Sequence, residues 1–390
     1  MTERRSARLR RALVAELEAA GQIKTPSVRR AFLEVPRELF VPEFATSEGL
    51  DAVYRDEAII TRQDEHGAPT SSSSQPAIMA LMLERLDLSE GQRVLEIGAG
   101  TGYNAALLSR IVGPRGRVVS IELDRELARR ARITLAEAGC KLRVVCRDGR
   151  LGFAEAAPYD RIIVTASAHE LSRAWWEQLA PGGLLEVPLR LTSNGAQAIP
   201  TLRKERTRLR SISVLTGGFM PLRLPDGRSA DEPPRLLVSE VREGASRPLL
   251  WLSGAGLARL SEPARRRLVA LALSEPRVRR VRLPAPKRWS LALYLSLKSP
   301  RRHAVASYAR DAAAFGVFAR AGRSLALFGG PFKGVSRLYG YGEREAEERL
   351  MELIERWRES GEPTEEVLEI QVRFEAERQL LRWRWQTASV

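Results

Sequence analysis

Between Arg93 and Asp124 the chain carries the residues best suited to hold a small charged ligand. Val94, Leu95 and Ile97, with Glu96 among them, run into Gly98, Gly100 and Gly102, and an apolar stretch at helical spacing follows from Tyr103 to Val112. Strand, glycine turn and helix in that order bind nucleotide-like ligands at the strand's end and the helix's start. Glycine permits the dihedrals and close approaches that such a turn needs. A second apolar run, from Arg117, ends in Glu122, placed 20 residues after Gly102. An acidic side chain there can accept both hydroxyls of a ribose. Glycine turns serve dinucleotide, phosphate and S-adenosylmethionine (SAM) sites. The spacing Gly98-x-Gly100-x-Gly102 departs from the dinucleotide fingerprint, and no Walker lysine motif occurs.

Other polar residues fall on the same edge of the sheet that these elements imply. Residues 61–76 are polar, with Gly67, Pro69 and the serines Ser71 to Ser74. They read either as a flexible linker or as the approach to the helix marked by Ile78, Met79, Met82, Leu83 and Leu86. In the second reading Ser73 or Ser74 is the N-cap and Pro76 a first-turn proline. Hydroxyls and free N–H groups there suit a carboxylate. Asp148, before Gly149, is placed either to accept from an adenine amino group or to cap a turn. Thr165 to His169 follow the fourth strand, where a substrate should lie.

These groups need a scaffold of alternating strands and helices. Strands are expected at 93–97, 117–121, 142–146, 160–165 and 184–189, and helices at 103–111, 125–138 and 170–179, which is a mostly parallel α/β sheet. Residues 197–215 alternate and add antiparallel strands. Ahead of it, 4–20 and 26–32 are helical, Pro36 and Pro42 break the chain into turns, and 54–60 is a short extended piece. Behind it, the proline-rich 222–234 forms a boundary to a second, α+β region. There strands are expected near 235–240, 316–319, 324–328 and 367–374, with helices at 261–273 and 342–360. Trp289, Leu291, Leu293, Leu295 and Leu297 alternate, which predicts a strand. The expected division is an N-terminal helical and substrate-side segment (1–75), a binding domain (76–221) and a C-terminal α+β domain (235–390).

The 390 residues include 63 Lys+Arg against 48 Asp+Glu, a net charge of +15, with about +8 of it between 231 and 300. Such an excess suits nucleic acid or an acidic peptide, or serves solubility alone. The basic run Arg277 to Arg288 reads as a grip for either partner or as a solvated face, and no nucleic-acid reader module accompanies it. Trp175, Trp176, Trp383 and Trp385 read as packing residues. Cys140 and Cys146 make no disulfide framework or zinc pattern, and His66, His169 and His303 lack ligand spacing. No metal is expected. No apolar run reaches membrane-spanning length and no signal region is visible, so the expected location is the cytoplasm.

The motifs together resemble the protein-L-isoaspartate O-methyltransferase family from about residue 5 to 221. The resemblance rests on Phe32-Leu-Glu-Val-Pro-Arg-Glu-Leu-Phe-Val-Pro42, Thr70-Ser-Ser-Ser-Ser-Gln-Pro76, Arg93 to Asn104, Asp148-Gly149, Tyr159 to Ala166 and Leu179-Ala-Pro-Gly-Gly183. It implies a SAM-dependent methyltransferase (Rossmann-like) sheet, with Glu122 on the ribose and the substrate-side serine at Ser74. The expected site then comprises Ser74 and Ser73 as catalytic residues. Glu96, Gly98, Gly100, Gly102, Glu122, Leu123, Asp148, Gly149 and Thr165 would hold SAM, and Thr70, Ser72, Gln75, Ser167 and His169 the substrate. Two departures border the substrate side: Ser73 replaces the family's usual isoleucine, and Ser167-Ala-His169 replaces an alanine- and proline-containing form. With the C-terminal region, they make the chain similar to enzymes that methylate an aspartate in ribosomally made peptides.

That subgroup resemblance implies an O-methyltransferase acting on an aspartate side-chain carboxylate of a modified precursor peptide, acidic or cyclised, whose ester closes to a succinimide (aspartimide). The alternative is methylation of isoaspartyl-containing proteins in repair, where the ring hydrolyses. A nucleic-acid-binding protein or methyltransferase is the reading from another class. A carboxylate, with a free pKa near about 4, is ionised near neutral pH, so methyl transfer needs positioning more than a general base.

Overall fold

The structure, a computed structural model, describes residues 2–63, 69–192, 197–226, 235–238, 250–254, 256–281, 287–308, 312–329, 336–376 and 379–386. His66, the linker at 227–234 and residues 282–286 of the basic run lie outside the described residues. Four helices lead the chain: α1 (Thr2–Ala19), α2 (Pro26–Glu34), α3 (Pro42–Glu48) and α4 (Leu50–Val53). Thr25 caps α2 through its side chain, accepting from the Val28 N–H, and Pro26 occupies the first turn. Two short strands follow, β1 (Ile59–Gln63) and β2 (Pro69–Ser73), paired antiparallel.

The central region continues with α5 (Pro76–Arg85), β3 (Arg93–Ile97), α6 (Tyr103–Val112), β4 (Arg117–Glu122), α7 (Arg125–Glu137), β5 (Arg143–Cys146), β6 (Tyr159–Val164), α8 (Arg173–Gln178), β7 (Leu179–Glu186), β8 (Gln197–Lys204) and β9 (Leu209–Gly217). Strands β5, β4, β3, β6 and β7 are neighbours in that order and parallel; β8 and β9 extend the sheet antiparallel. The chain runs outward from β3 through β4 to β5, then returns to the other side of β3 with β6. That reversal opens a crevice at the carboxyl ends of β3 and β6, where ligands of α/β sheets bind. This is the Rossmann-like α/β fold of the SAM-dependent methyltransferases, with N-terminal helices.

The second region has β10 (Arg235–Val238), β11 (Leu250–Ser253), α9 (Glu262–Ala272), β12 (Arg277–Val281), α10 (Lys287–Lys298), β13 (His303–Tyr308), β14 (Ala312–Phe318), β15 (Ser324–Gly329), β16 (Ser336–Gly342) and α11 (Glu345–Glu359). Its strands make a separate seven-stranded sheet ordered β10-β11-β13-β14-β15-β16-β12. The last strands, β17 (Leu368–Phe374) and β18 (Gln379–Trp385), behave differently. The sequence groups them with the second region, yet β17 pairs with β9 and β18 with β17, completing a nine-stranded first sheet. No local pattern announces such a partner, since the pairing joins Gln371 to Arg210 across the chain.

Each sheet is covered on both faces. On the first, Leu13, Phe32, Leu83, Leu107 and Leu135 from α1, α2, α5, α6 and α7 pack on one face, while Trp175 of α8 and Leu293 of α10 pack on the other. On the second, Leu295, Leu350 and Trp357 lie against Phe328 and Leu338 on one side, and Leu268 and Ala272 against Leu325 and Leu327 on the other.

Helix α10 corrects the expected strand over Trp289 to Leu297. Every residue from Ser290 to Ser296 is buried, because α10 is wedged between the two cores. A helix buried all round shows no polar face, so its leucines at every second position say nothing about period. The serine segment is corrected too. Ser71 to Ser73 belong to a strand, the N-cap of α5 is Gln75, whose own side chain makes no capping bond, and the free N–H of Ala77 in the first turn is taken by Asp56 Oδ1 at 2.8 Å. Pro76 does occupy its first turn.

Candidate active site

The turn after β3 is built on left-handed glycines. Gly98 has φ 100°, Gly100 52° and Gly102 91°, where only glycine sits without strain. A Cβ on Gly98 would stand 2.6 Å from Thr165 Oγ1. Thr165, just past β6, donates that hydroxyl toward the carbonyls of Gly98 (2.7 Å) and Ile97 (3.0 Å). The ends of the two central strands are thereby tied together. Gly102 has a packing role, since a Cβ there would meet Leu135 of α7 at 3.3 Å.

Two carboxylates support this turn. Glu122 accepts the Gly100 N–H at 2.8 Å on Oε2 and the Asp124 N–H at 3.0 Å on Oε1. A carboxylate offers roughly four acceptor positions, so capacity remains for ligand hydroxyls. Glu96 lies beneath, fully buried, accepting from Asn104 Nδ2 at 2.8 Å and from the Ser120 hydroxyl. Burial, against the pull of these two donors, pushes its carboxyl up to about 7.

Strand β2 crosses opposite the turn: the Ser72 carbonyl would be 3.6 Å from a Cβ on Gly100. Ser71 Oγ accepts from Thr61. Ser73 is 3% exposed, and its hydroxyl has no hydrogen-bond partner. The strand is anchored from behind by Arg37, which is fully buried. Its guanidinium donates to the carbonyls of Val53 (2.9 Å), Arg55 (3.2 Å), Glu57 (2.9 Å) and Ser74 (3.1 Å). Burial holds the Arg37 pKa below its ordinary value, only partly offset by Tyr103 and Asp56.

Turn, serine strand and strand ends enclose a cavity of about 490 Å³. Of the expected residues, Thr70, Ser72, Ser73, Ser74, Gln75, Gly98, Gly100, Glu122, Leu123, Gly149 and Thr165 line it. The other five do not. Glu96 and Gly102 act from behind the wall. Asp148 caps a turn by accepting from the Arg150 N–H, and the Arg150 guanidinium engages both its oxygens. Burial raises its pKa, but Arg150 outweighs that and holds it below the usual carboxylate value. Ser167 is buried; its backbone bonds Met220 and Leu222, and its hydroxyl accepts from Arg190. His169 lies further along the same segment, outside the lining.

Sequence reasoning missed one wall of this cavity, the segment from Thr216, at the end of β9, to Arg223. Gln197 holds it, donating to the Phe219 carbonyl and accepting its N–H, both at 2.8 Å. Arg223 then reaches across to donate to the Thr70 carbonyl at 2.9 Å. Gly217-Gly218 was the only local signal. Trp289, from α10, also lines the cavity. Arg37 lies in the Phe32 to Pro42 motif but was given no role, because its four carbonyl partners lie 16 to 37 residues further along the chain. Among the described residues no group of three or more His, Cys, Asp or Glu is arranged to hold a metal, and no helix is long and apolar enough to cross a membrane.

The cavity fits SAM in its donor set: a glycine cradle that a side chain would fill, a buried carboxylate with acceptor positions to spare, and an adjoining wall of hydroxyls. Comparisons with known proteins agree. A protein of Thermotoga maritima named protein-L-isoaspartate O-methyltransferase is 41% identical over 179 residues, 46% of this chain and 55% of that one. The protein of that name from Ignicoccus hospitalis is 41% identical over 181 residues, covering 46% of this chain and 81% of its own. A solved structure with the same title is 28% identical, with a TM-score of 0.54, and the match covers 96% of this chain and 99% of that one. That match extends over the second region as well, so the presence of the second region does not by itself single out a peptide-maturation subgroup. The profile of the protein-L-isoaspartate(D-aspartate) O-methyltransferase (PCMT) family matches residues 8–223, and the chain belongs to that family of SAM-dependent carboxyl O-methyltransferases.

Proposed function

We propose that the chain methylates the free carboxylate of L-isoaspartyl residues in peptides and proteins. The observation that carries this reading is the run of hydroxyl side chains that lines the cavity beside the glycine turn, Thr70, Ser72, Ser73 and the half-buried Ser74. The names of the relatives favour an isoaspartyl substrate over an aspartate in a maturing peptide.

In this reading Glu122 holds the ribose hydroxyls, and Gly98, Gly100, Leu123 and Gly149 form the bed beneath the cofactor. SAM, when bound, supplies an electrophilic methyl group on a sulfonium. Ser73 and Ser74 donate to the substrate carboxylate and orient one oxygen toward that methyl. No residue need remove a proton, because the carboxylate is already ionised at neutral pH. Rate comes from alignment and from excluding water. Arg37 positions the strand without touching substrate. The ester product activates its carbonyl carbon. The next residue's backbone nitrogen attacks it, losing its proton as methanol leaves, and the ring formed is a succinimide.

The test is the chemistry of the product. With SAM carrying a deuterated methyl group, a synthetic isoaspartyl peptide should gain that methyl as an ester. Mild base should then release it as deuterated methanol with a succinimide left behind. A base-stable methyl group, or none, would contradict the reading.

A further inference from the structure

Trp289 stands apart from the helix that carries it. Residues Ser290 to Ser296 of α10 are buried between the two cores, yet Trp289 is 45% exposed and lines the cavity. The Arg288 guanidinium lies over its ring, 5.7 Å from the centroid, and the rest of a large aromatic surface left open on a rigid element is a common anchor for a binding partner. The element is rigid here. Leu293 packs in the first sheet's core, while Leu291 and Leu295 pack in the second's. One carboxylate also fixes the helix to the cavity wall. Glu365 accepts from Ser290 of α10 at 2.5 Å and from Thr216, at the end of β9, at 3.5 Å. Trp289 thus reports to the same wall as Thr216 to Arg223.

Its place in the sheet says which ligand it meets. Glu122 ends β4, and the glycine turn follows β3, whereas β9 lies on the far side of β6, β7 and β8. Through Glu365 the helix carrying the tryptophan is tied to Thr216, on the β9 side of the cavity, and not to the β3–β4 side where Glu122 stands. It also lies outside residues 8–223 that match the family. We propose that Trp289 is a specificity-determining residue, taking an apolar side chain of the substrate peptide next to the isoaspartyl residue. The second region then contributes directly to substrate choice. This rests on the isoaspartyl reading above.

The apolar face of an indole discriminates a bulky neighbour from glycine by roughly tenfold. The experiment uses the full chain, its Trp289→Ala and Trp289→Phe variants, and isoaspartyl peptides with Gly, Leu or Phe placed before or after the isoaspartate. The unaltered chain should show a KM about tenfold lower for Leu or Phe than for Gly at one of these positions. Trp289→Ala should erase that preference by raising KM for the bulky peptides. The KM of the Gly peptides and the affinity for S-adenosylhomocysteine should move far less than the KM of the bulky peptides, and Trp289→Phe should keep most of the preference. A preference that survives in Trp289→Ala overturns the proposal, as does a loss of S-adenosylhomocysteine affinity with peptide KM unmoved. Failure of the unaltered chain to methylate any isoaspartyl peptide would instead strike the reaction reading, and the Trp289 proposal would fall with it.

Discussion

Gly98→Ala tests the geometry that joins the two central strands. The new Cβ would stand 2.6 Å from Thr165 Oγ1, on a backbone with φ 100°. A non-glycine residue held at that dihedral costs about 1–3 kcal/mol. Thr165 must also leave its place between the Ile97 and Gly98 carbonyls, losing about 1 kcal/mol of hydrogen bonding and about 1 kcal/mol in rotamer strain. Gly98→Ala should therefore destabilise by about 3–5 kcal/mol. Thr165→Ala alone should cost about 1–2 kcal/mol. In the double variant the clash is gone and the hydroxyl is lost only once, so it should be milder than the sum by about 2 kcal/mol. Urea unfolding of the four proteins, followed through tryptophan emission, reads this directly. Trp175 is a suitable reporter, being fully buried and bonded to the Gly149 carbonyl at 2.8 Å. Additivity within about 0.5 kcal/mol would refute the reasoning.

Three further outcomes follow from the same site. Arg37→Met removes the donor shared by four carbonyls and should cost about 3–5 kcal/mol, while Arg37→Lys, unable to span them, should recover only part; thermal melting distinguishes the three proteins. Ser73→Val deletes a buried hydroxyl that has no partner. Stability should hold or rise by about 1 kcal/mol, while kcat/KM for an isoaspartyl peptide falls about tenfold, and a parallel change in both would contradict the assignment. Glu96 has a carboxyl raised by burial from 4.5 to about 7, so the folded state binds its proton more tightly than the unfolded chain does. Its contribution is thus fully present below about pH 4.5 and lost as pH rises to about 7, on the order of 3 kcal/mol in all. Glu96→Gln should be progressively more stable than the parent across that window in urea titrations, and a constant difference would count against it.

The binding turn was legible in the sequence because its determinants are local. Three glycines, an apolar strand before them and Glu122 at the next strand's end lie within 30 consecutive residues, and each has a backbone reason. The parallel strands and their helices followed from the same alternation. Where the reading failed, the deciding partner was distant. Ser71 to Ser73 have linker composition but become a strand because β1 pairs with them. Helix α10 lost its periodic signal by being buried between two cores. Strand β17 found β9 across the second region. Asp148, read as either an adenine acceptor or a turn cap, does cap a turn, with Arg150, a local partner two residues on, at its carboxylate. Arg37 lies in the Phe32 to Pro42 motif without a role that its neighbours announce, and Trp289 carries no motif; only the packed chain reveals that one is buried behind Ser74 and the other opens onto the cavity.

The central claim, a serine-lined site for an isoaspartyl carboxylate beside a methyl donor, is tested most directly by the ratio of kcat/KM for an isoaspartyl peptide to that for its ordinary aspartyl isomer. Identical composition leaves only the position of the carboxylate to be sensed. A strong preference for the isoaspartyl form is expected, whereas equal rates, or methylation of the aspartyl isomer alone, would contradict the account.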